Sequence, residues 1–216
     1  MMFCPFAVKA WSITGYIESG GTNPNGLIFV ELRDSIALIV TPDSSVVHPW
    51  GIESDYSAYQ PAGNITIPSS IYYNGNSFPV RIIGYKALFG CNGITSITIP
   101  NTVSEIHNLA FMSGIWNNTV TGGYLSSVIY TGTIAQWCNI YFSGSYANPT
   151  TFGATLTINN NLVNNLVIPN DITMIRQYAF SGCSSLTSVT IPASVTCIDD
   201  GAFKNCANLT TCLILK

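Results

Sequence analysis

The sequence predicts a repeat solenoid of α/β or mainly β class, and three observations carry that expectation. The segment LTSVTIPASVTCIDDGAFKNCAN at 186–208 follows a near copy of itself, VNNLVIPNDITMIRQYAFSGCSS at 163–185. The two copies align Pro169 with Pro192, Ala179 and Phe180 with Ala202 and Phe203, and Cys183 with Cys206, each pair 23 residues apart. Within the second copy Val189 and Ile191 flank Thr190, the period-two alternation of a strand with one buried face. Finally, only 8% of the 216 residues are charged, where soluble proteins average about 25%. Asn, Thr, Ser and Gly fill the polar positions instead, as suits many short strands and turns.

The elements follow in chain order. Residues 1–61 lack the repeat skeleton, and their apolar runs LIFVEL and SIALIVT, separated by Arg33 and Asp34, are expected as antiparallel strands capping the first coil. The opening MMFCPFAVKAW has no basic stretch before its apolar residues, so it is a poor secretory leader. The longest apolar stretch is interrupted by Glu31, Arg33 and Asp34, which excludes a membrane-spanning helix. A first coil over 62–93 joins NITIPSSI to RIIGYKALFGC around an insertion near 72–80, a hairpin expected to turn at Asn74 and Gly75. The next copy, ITSITIPNTVSEIHNLAFMSG from Ile94, keeps Pro100 and Phe111 at the separation of Pro169 and Phe180, with an insertion near 115–124 after it. A strand over 125–130 precedes the largest interruption, 131–162, expected to hold a helical turn around Ala135 to Trp137 and a hairpin, LTINNNLV, joined by asparagines. Coils then start at 163, 186 and 209. The last, LTTCLILK, is the first strand of a further coil, so 62–216 is expected to be a solenoid truncated at its C-terminus.

LxxVxI, as in Leu186, Val189 and Ile191, is the strand signature of a leucine-rich repeat. Pro192 cannot donate to a ladder and ends the strand. The chain then returns along an opposite wall with Val195 and Ile198 inward and Phe203 plugging the interior. A single coil buries too few side chains to offset the entropy of ordering it, so the copies must stack.

The motif IP-x-x-[VI]-x-x-I-x-x-x-AF-x-x-C-x-x-L, carried by LTSVTIPASVTCIDDGAFKNCANL and VIPNDITMIRQYAFSGCSSL, resembles the BspA-type leucine-rich repeats of bacterial and protist surface proteins. VIYTGTIAQWCNIYF followed by ANP and LTINNNLVNNLVIP resembles an insertion module of its gut-bacterial members. The resemblance covers 62–216. It departs at Gly114, where Cys is expected, and at Leu88, where Phe is expected. It implies an extracellular or cell-surface adhesion or recognition module, non-catalytic and without a cofactor, binding a protein or glycan on host or neighbouring cells and monomeric as an isolated segment.

The residues themselves narrow the chemistry. A net charge of -3 with no basic cluster provides no footprint for nucleic acid. Cys183 and Cys206 fall at equivalent positions of adjacent coils, where parallel Cβ vectors disfavour a disulfide and buried thiols are expected; Cys212, aligned with Val189, is likewise expected in the core. Cys4, Cys91, Cys138 and Cys197 show no metal-ligand spacing. His107 is expected at a solvated turn, and His48 stands in an irregular stretch; a hydrolase built on His48 or Cys138 is the remote alternative. The outward strand positions carry the binding expectation: Thr98, Ile129, Val167 and Thr190, with Tyr130 beside them and Thr95, Ser126, Thr187 and Ser188 adding hydroxyls. Such residues also simply suit a pleated surface. Tyr130, Trp137, Tyr141 and Phe142 either enlarge that surface or pack the interruption onto the solenoid. The competing function is a structural spacer of a larger surface protein.

Overall fold

The computed structural model describes residues 62–216 apart from 74–75 and 117–118, together with the backbone of three earlier strands. Those three are β1 (Gly15–Glu18), β2 (Leu27–Arg33) and β3 (Ile36–Val40). β2 and β3 pair antiparallel, Leu32 opposite Ala37, and β3 then runs parallel to a strand of the first coil. Cys4 and His48, and the turn at Asn74 and Gly75, lie outside the described residues.

Two walls of parallel strands enclose one core. The front wall stacks β4 (Gly63–Thr66), β7 (Ile94–Ile99), β11 (Ser127–Tyr130) and β13 (Thr155–Ile158), then, as a second sheet, β15 (Asn165–Val167), β17 (Ser188–Ile191) and β19 (Thr211–Ile214). The back wall stacks β6 (Asn76–Ile83), β8 (Glu105–Ile106) and β12 (Tyr141–Phe142), then β16 (Met174–Ile175) with β18 (Cys197–Ile198). Alternation decides which side chains enter. Ile97, Ile99, Val128, Leu156, Leu166 and Val189 point in from the front, and Ile83, Ile106, Phe142 and Ile175 meet them from the back, all buried. Ala179 and Phe180 fill the corner between walls, and the Phe180 ring stacks on Phe203 of the next coil with centroids 5.4 Å apart.

Asn165, Ser188 and Thr211 stand in one register column, so these rungs repeat every 23 residues. Upstream the rungs are longer, and hairpins take up the difference. One pairs β5 (Ser70–Tyr73) with β6, and another pairs β9 (Met112–Trp116) with β10 (Thr119–Gly123). The long coil after β11 instead carries a one-turn helix, α1 (Ile134–Cys138), started by a reciprocal capping box between Thr133 and Gln136. Its Trp137 indole edge meets Tyr130, centroids 5.2 Å apart, and its Nε1 donates to the Ala179 carbonyl at 2.7 Å. That bond ties this coil directly to the 163–185 coil.

The interval 131–162 differs from its expected role as an insertion throughout. Ser127 to Tyr130 pair in parallel with Thr155 to Ile158, so β13 is a rung of the front wall, with Leu156 and Ile158 buried like the aliphatics of any other rung. β13 then folds back against β14 (Asn161–Leu162) in a two-residue hairpin whose Asn159 and Asn160 adopt φ of 47° and 61°. Asparagine tolerates this left-handed pair, which matches the right-handed twist of the strands. The hairpin ends the first front sheet, and β15 starts the second.

The end of the chain corrects several core assignments: Ile198 and Cys212 are exposed and Val195, Phe203 and Cys206 are half-buried, whereas Ile172, Ile175, Phe180 and Cys183, one coil earlier, are buried. Among the described residues no coil stacks over the former, and an inward-facing position is covered only by its neighbour.

Candidate functional site

The exposed front wall presents three columns. At the strand entries, hydroxyls reach back to the preceding rung. Ser126 Oγ donates to the Thr95 carbonyl at 2.9 Å, Thr187 Oγ1 to that of Asn164 at 3.0 Å, and Thr210 Oγ1 to that of Thr187 at 3.3 Å. Serine and threonine recur at these positions because a short hydroxyl satisfies a carbonyl at the sheet margin. The next column, Asn64, Ser96, Ser127 and Thr155 and then Asn165, Ser188 and Thr211, is amide and hydroxyl throughout; Ser188 Oγ donates to Asn165 Oδ1 at 2.8 Å.

The third column is the one expected to bind. Thr66, Thr98, Ile129 and Thr157 stand in register across the first front sheet, and Val167, Thr190 and Leu213 across the second. Thr98, Ile129 and Thr190 are half-buried between their neighbours, while Val167 is 59% exposed. Leu162, opposite Thr157 on the hairpin, is exposed as well and adds an apolar step that the sequence reading omitted. The signal for it was the alternation of Asn161 and Leu162 with Val163 beyond an Asn-Asn turn.

Tyr130 is a correction. It lies opposite buried Ile99 and Ile158 in the register, and its ring packs on Trp137, leaving it 1% exposed. Ile129 faces out, so its neighbour must face in. Trp137 and Phe142 are buried too, and of these four aromatics only Tyr141 is exposed, on the back wall.

Where the two front sheets part, a cleft of about 380 Å3 opens between the hairpin and β15. Ile134, Ile158, Leu162 and Leu166 form its apolar surface and Asn159, Asn161 and Asn165 its rim. No charged side chain lines it.

The buried and half-buried thiols are quiescent. Burial pushes those of Cys91 and Cys138 up to about 12, the latter with a smaller push from Asp171, and that of Cys206 up to about 11. Burial also raises Cys183, against partial relief from hydrogen bonds led by Ser185. All six described cysteines are free; Cys206 Sγ donates to the Phe180 carbonyl rather than to a partner sulfur. A protonated thiol is a poor nucleophile at neutral pH. His107 Nε2 lies 3.3 Å from Glu105 Oε2 on the back wall. Among the described residues no three His, Cys, Asp or Glu converge, and no helix is long and apolar enough to cross a membrane.

The sequence profile of the BspA type leucine-rich repeat region matches six copies over residues 64–121 and 150–216, more than half the chain. The chain belongs to the BspA-type leucine-rich repeat family. Its fold is accordingly that of a mainly β leucine-rich-repeat solenoid. No curated protein sequence matches this BspA-type chain. Among solved structures, a leucine-rich repeat protein from Bacteroides ovatus is similar at 24% identity and a TM-score of 0.46, over 86% of this chain and 39% of that one. One from Bacteroides capillosus is similar at 24% identity and 0.35, over 87% and 93%. A leucine rich cell surface protein from Faecalibacterium prausnitzii is similar at 20% identity and 0.33, over 86% and 52%. This BspA-type chain thus spans 39% of the length of the Bacteroides ovatus protein.

Proposed function

We propose that the chain is a non-catalytic recognition module of an extracellular or cell-surface protein, binding a protein or glycan of host or neighbouring cells through the outward column of its front wall. The observation that carries this reading is an uncharged, ordered face on which Ile129, Leu162, Val167 and Leu213 place apolar steps among threonines. Val167 and Leu162 leave more than half of their surface in water, a cost to the isolated chain that a partner removes. Residues 1–61 serve as its cap.

Binding of the purified chain to intact epithelial cells and to immobilised matrix proteins and glycans tests the reading. Saturable binding is expected, and Val167→Lys is expected to abolish it while circular dichroism stays unchanged, because the exposed position accommodates the longer side chain. Binding that survives Val167→Lys, Ile129→Lys and Thr190→Lys alike removes this face from the reading. A structural spacer is the second reading, and the entry-column hydroxyls favour it: they are spent on coil-to-coil bonds rather than presented to a ligand. A folded chain that binds nothing in these assays is the result a spacer gives.

A further inference from the structure

The open edge of β15 stands beside the cleft. In the ladder with β17, the Asn164 carbonyl accepts from the Ser188 N–H at 3.1 Å and the Ile168 N–H donates to the Thr190 carbonyl at 3.0 Å. Even-numbered residues of this stretch therefore address β17, and the odd-numbered Asn165 and Val167 turn their backbone groups the other way. The Asn165 N–H is taken by its neighbour's Asn164 Oδ1 at 2.7 Å. No strand pairs with β15 on that side: β17 is its sole ladder partner among the described residues. On the hairpin, Ile158 and Asn161 close the two-residue turn, so the Leu162 N–H also points away from β13. The Leu162 carbonyl already accepts from the Asn164 N–H at 3.0 Å, so the hairpin offers only one N–H, and the open strand edge beside the cleft is that of β15.

We propose that this break is a peptide-binding subsite, in which an uncharged, extended segment of a partner protein adds as a strand to β15 and inserts an apolar side chain into the cleft. The inference deepens the recognition reading and rests on it. Unpaired N–H and C=O groups on a strand edge are satisfied together, and in register, by another extended backbone. The apolar surface of Ile134, Ile158, Leu162 and Leu166 fits an aliphatic or aromatic side chain, and a volume near 380 Å3 lies at the small end of ligand pockets, about 300–1,000 Å3. A charged side chain entering there loses its water and gains no counter-ion. No aromatic ring lines the cleft to stack on a sugar face, which favours peptide over glycan. The rim amides Asn159 and Asn165 remain for the main chain of the segment or a hydroxyl on it.

Panning a displayed library of linear peptides on the purified chain supplies the probe, and one enriched peptide is then synthesised. Enrichment of uncharged sequences with alternating apolar residues is expected, and bound peptide is expected to slow hydrogen exchange at the Val167 amide. Val167→Pro deletes that donor without touching a bond to β17, and is expected to weaken the peptide about tenfold. An enriched peptide that leaves Val167 exchange unchanged overturns the proposal whether or not the proline variant folds, as does enrichment of charged sequences only. The cell-binding assay separates the two levels. Cell binding lost in Thr190→Lys, with no peptide slowing exchange at Val167, keeps the recognition face and removes this subsite; no cell binding and no enriched peptide remove both.

Discussion

Gly182, in the AFSGC corner, is the position where a single methyl group measures how closely two coils approach. It holds φ of 71°, and a Cβ built there meets the backbone of the preceding coil, the Thr150 carbonyl oxygen at 2.3 Å and the Thr151 carbonyl carbon at 2.4 Å. Backbone cannot rotate aside as a side chain can, so the coils must separate. Gly153 supplies the internal control: its φ is 97°, yet its Cβ meets nothing within 4 Å. Alanine at Gly153 bears only the left-handed conformational penalty, about 1–2 kcal/mol. Alanine at Gly182 bears that penalty plus the overpacking, about 1–3 kcal/mol more. Urea unfolding followed by far-ultraviolet circular dichroism reads the difference directly. With a slope of about 2 kcal/mol per molar, the midpoint of Gly182→Ala should fall about 0.5–1.5 M further than that of Gly153→Ala. Equal shifts would refute the reasoning, because they would mean that the coils part freely at the corner.

Three more predictions concern the interior. Asn148, buried at the same junction, donates to the Tyr178 and Ala179 carbonyls and accepts from the Thr150 N–H and Oγ1, so Asn148→Ala should cost about 3 kcal/mol by the same unfolding measurement; a loss under about 1 kcal/mol would sink this account. The folded chain holds the protons of Cys91 and Cys138 to about 12 and of Cys206 to about 11, against an ordinary 9.0 that the unfolded chain retains. The unfolded state therefore sheds protons first, and stability that is complete below pH 9 should fall progressively between pH 9 and 12, seen as a declining Tm; a Tm flat to pH 11 would contradict it. In thiol labelling at pH 8, exposed Cys197 and Cys212 should react promptly and Cys91, Cys138 and Cys183 only after denaturant is added, and prompt labelling of Cys138 would reject its burial.

The repeat motif made most of the fold legible. Proline at the strand exit, the Ala-Phe corner and the two-residue alternation each have one physical meaning, and together they place Pro192, Phe180 and Val189 without coordinates. The rung at Thr155–Ile158 escaped because it lacks the leading LxxV and shares its residues with an asparagine hairpin, so local turn chemistry masked a long-range parallel pairing. Tyr130 was misplaced for a simpler reason: an aromatic beside a surface aliphatic suggested a contact patch, although alternation with Ile129 already required it to face inward. The cleft and the open edge of β15 were out of reach, since they depend on what fails to pair, and a sequence states neighbours only along the chain. The hydroxyls at strand entries were visible as letters, but their bonds to the preceding rung belong to the stack.

That entry column has a consequence for the medium in which the protein works. The bonds by which one coil grips the next there run from neutral hydroxyls to carbonyls, and the junction at Trp137 and Asn148 adds an indole and an amide. Dissolved ions screen interactions between charges and leave such contacts nearly untouched. A module joined in this way keeps its spacing and its face from dilute to concentrated salt, so the ionic composition of its surroundings can change without altering the shape that a partner meets.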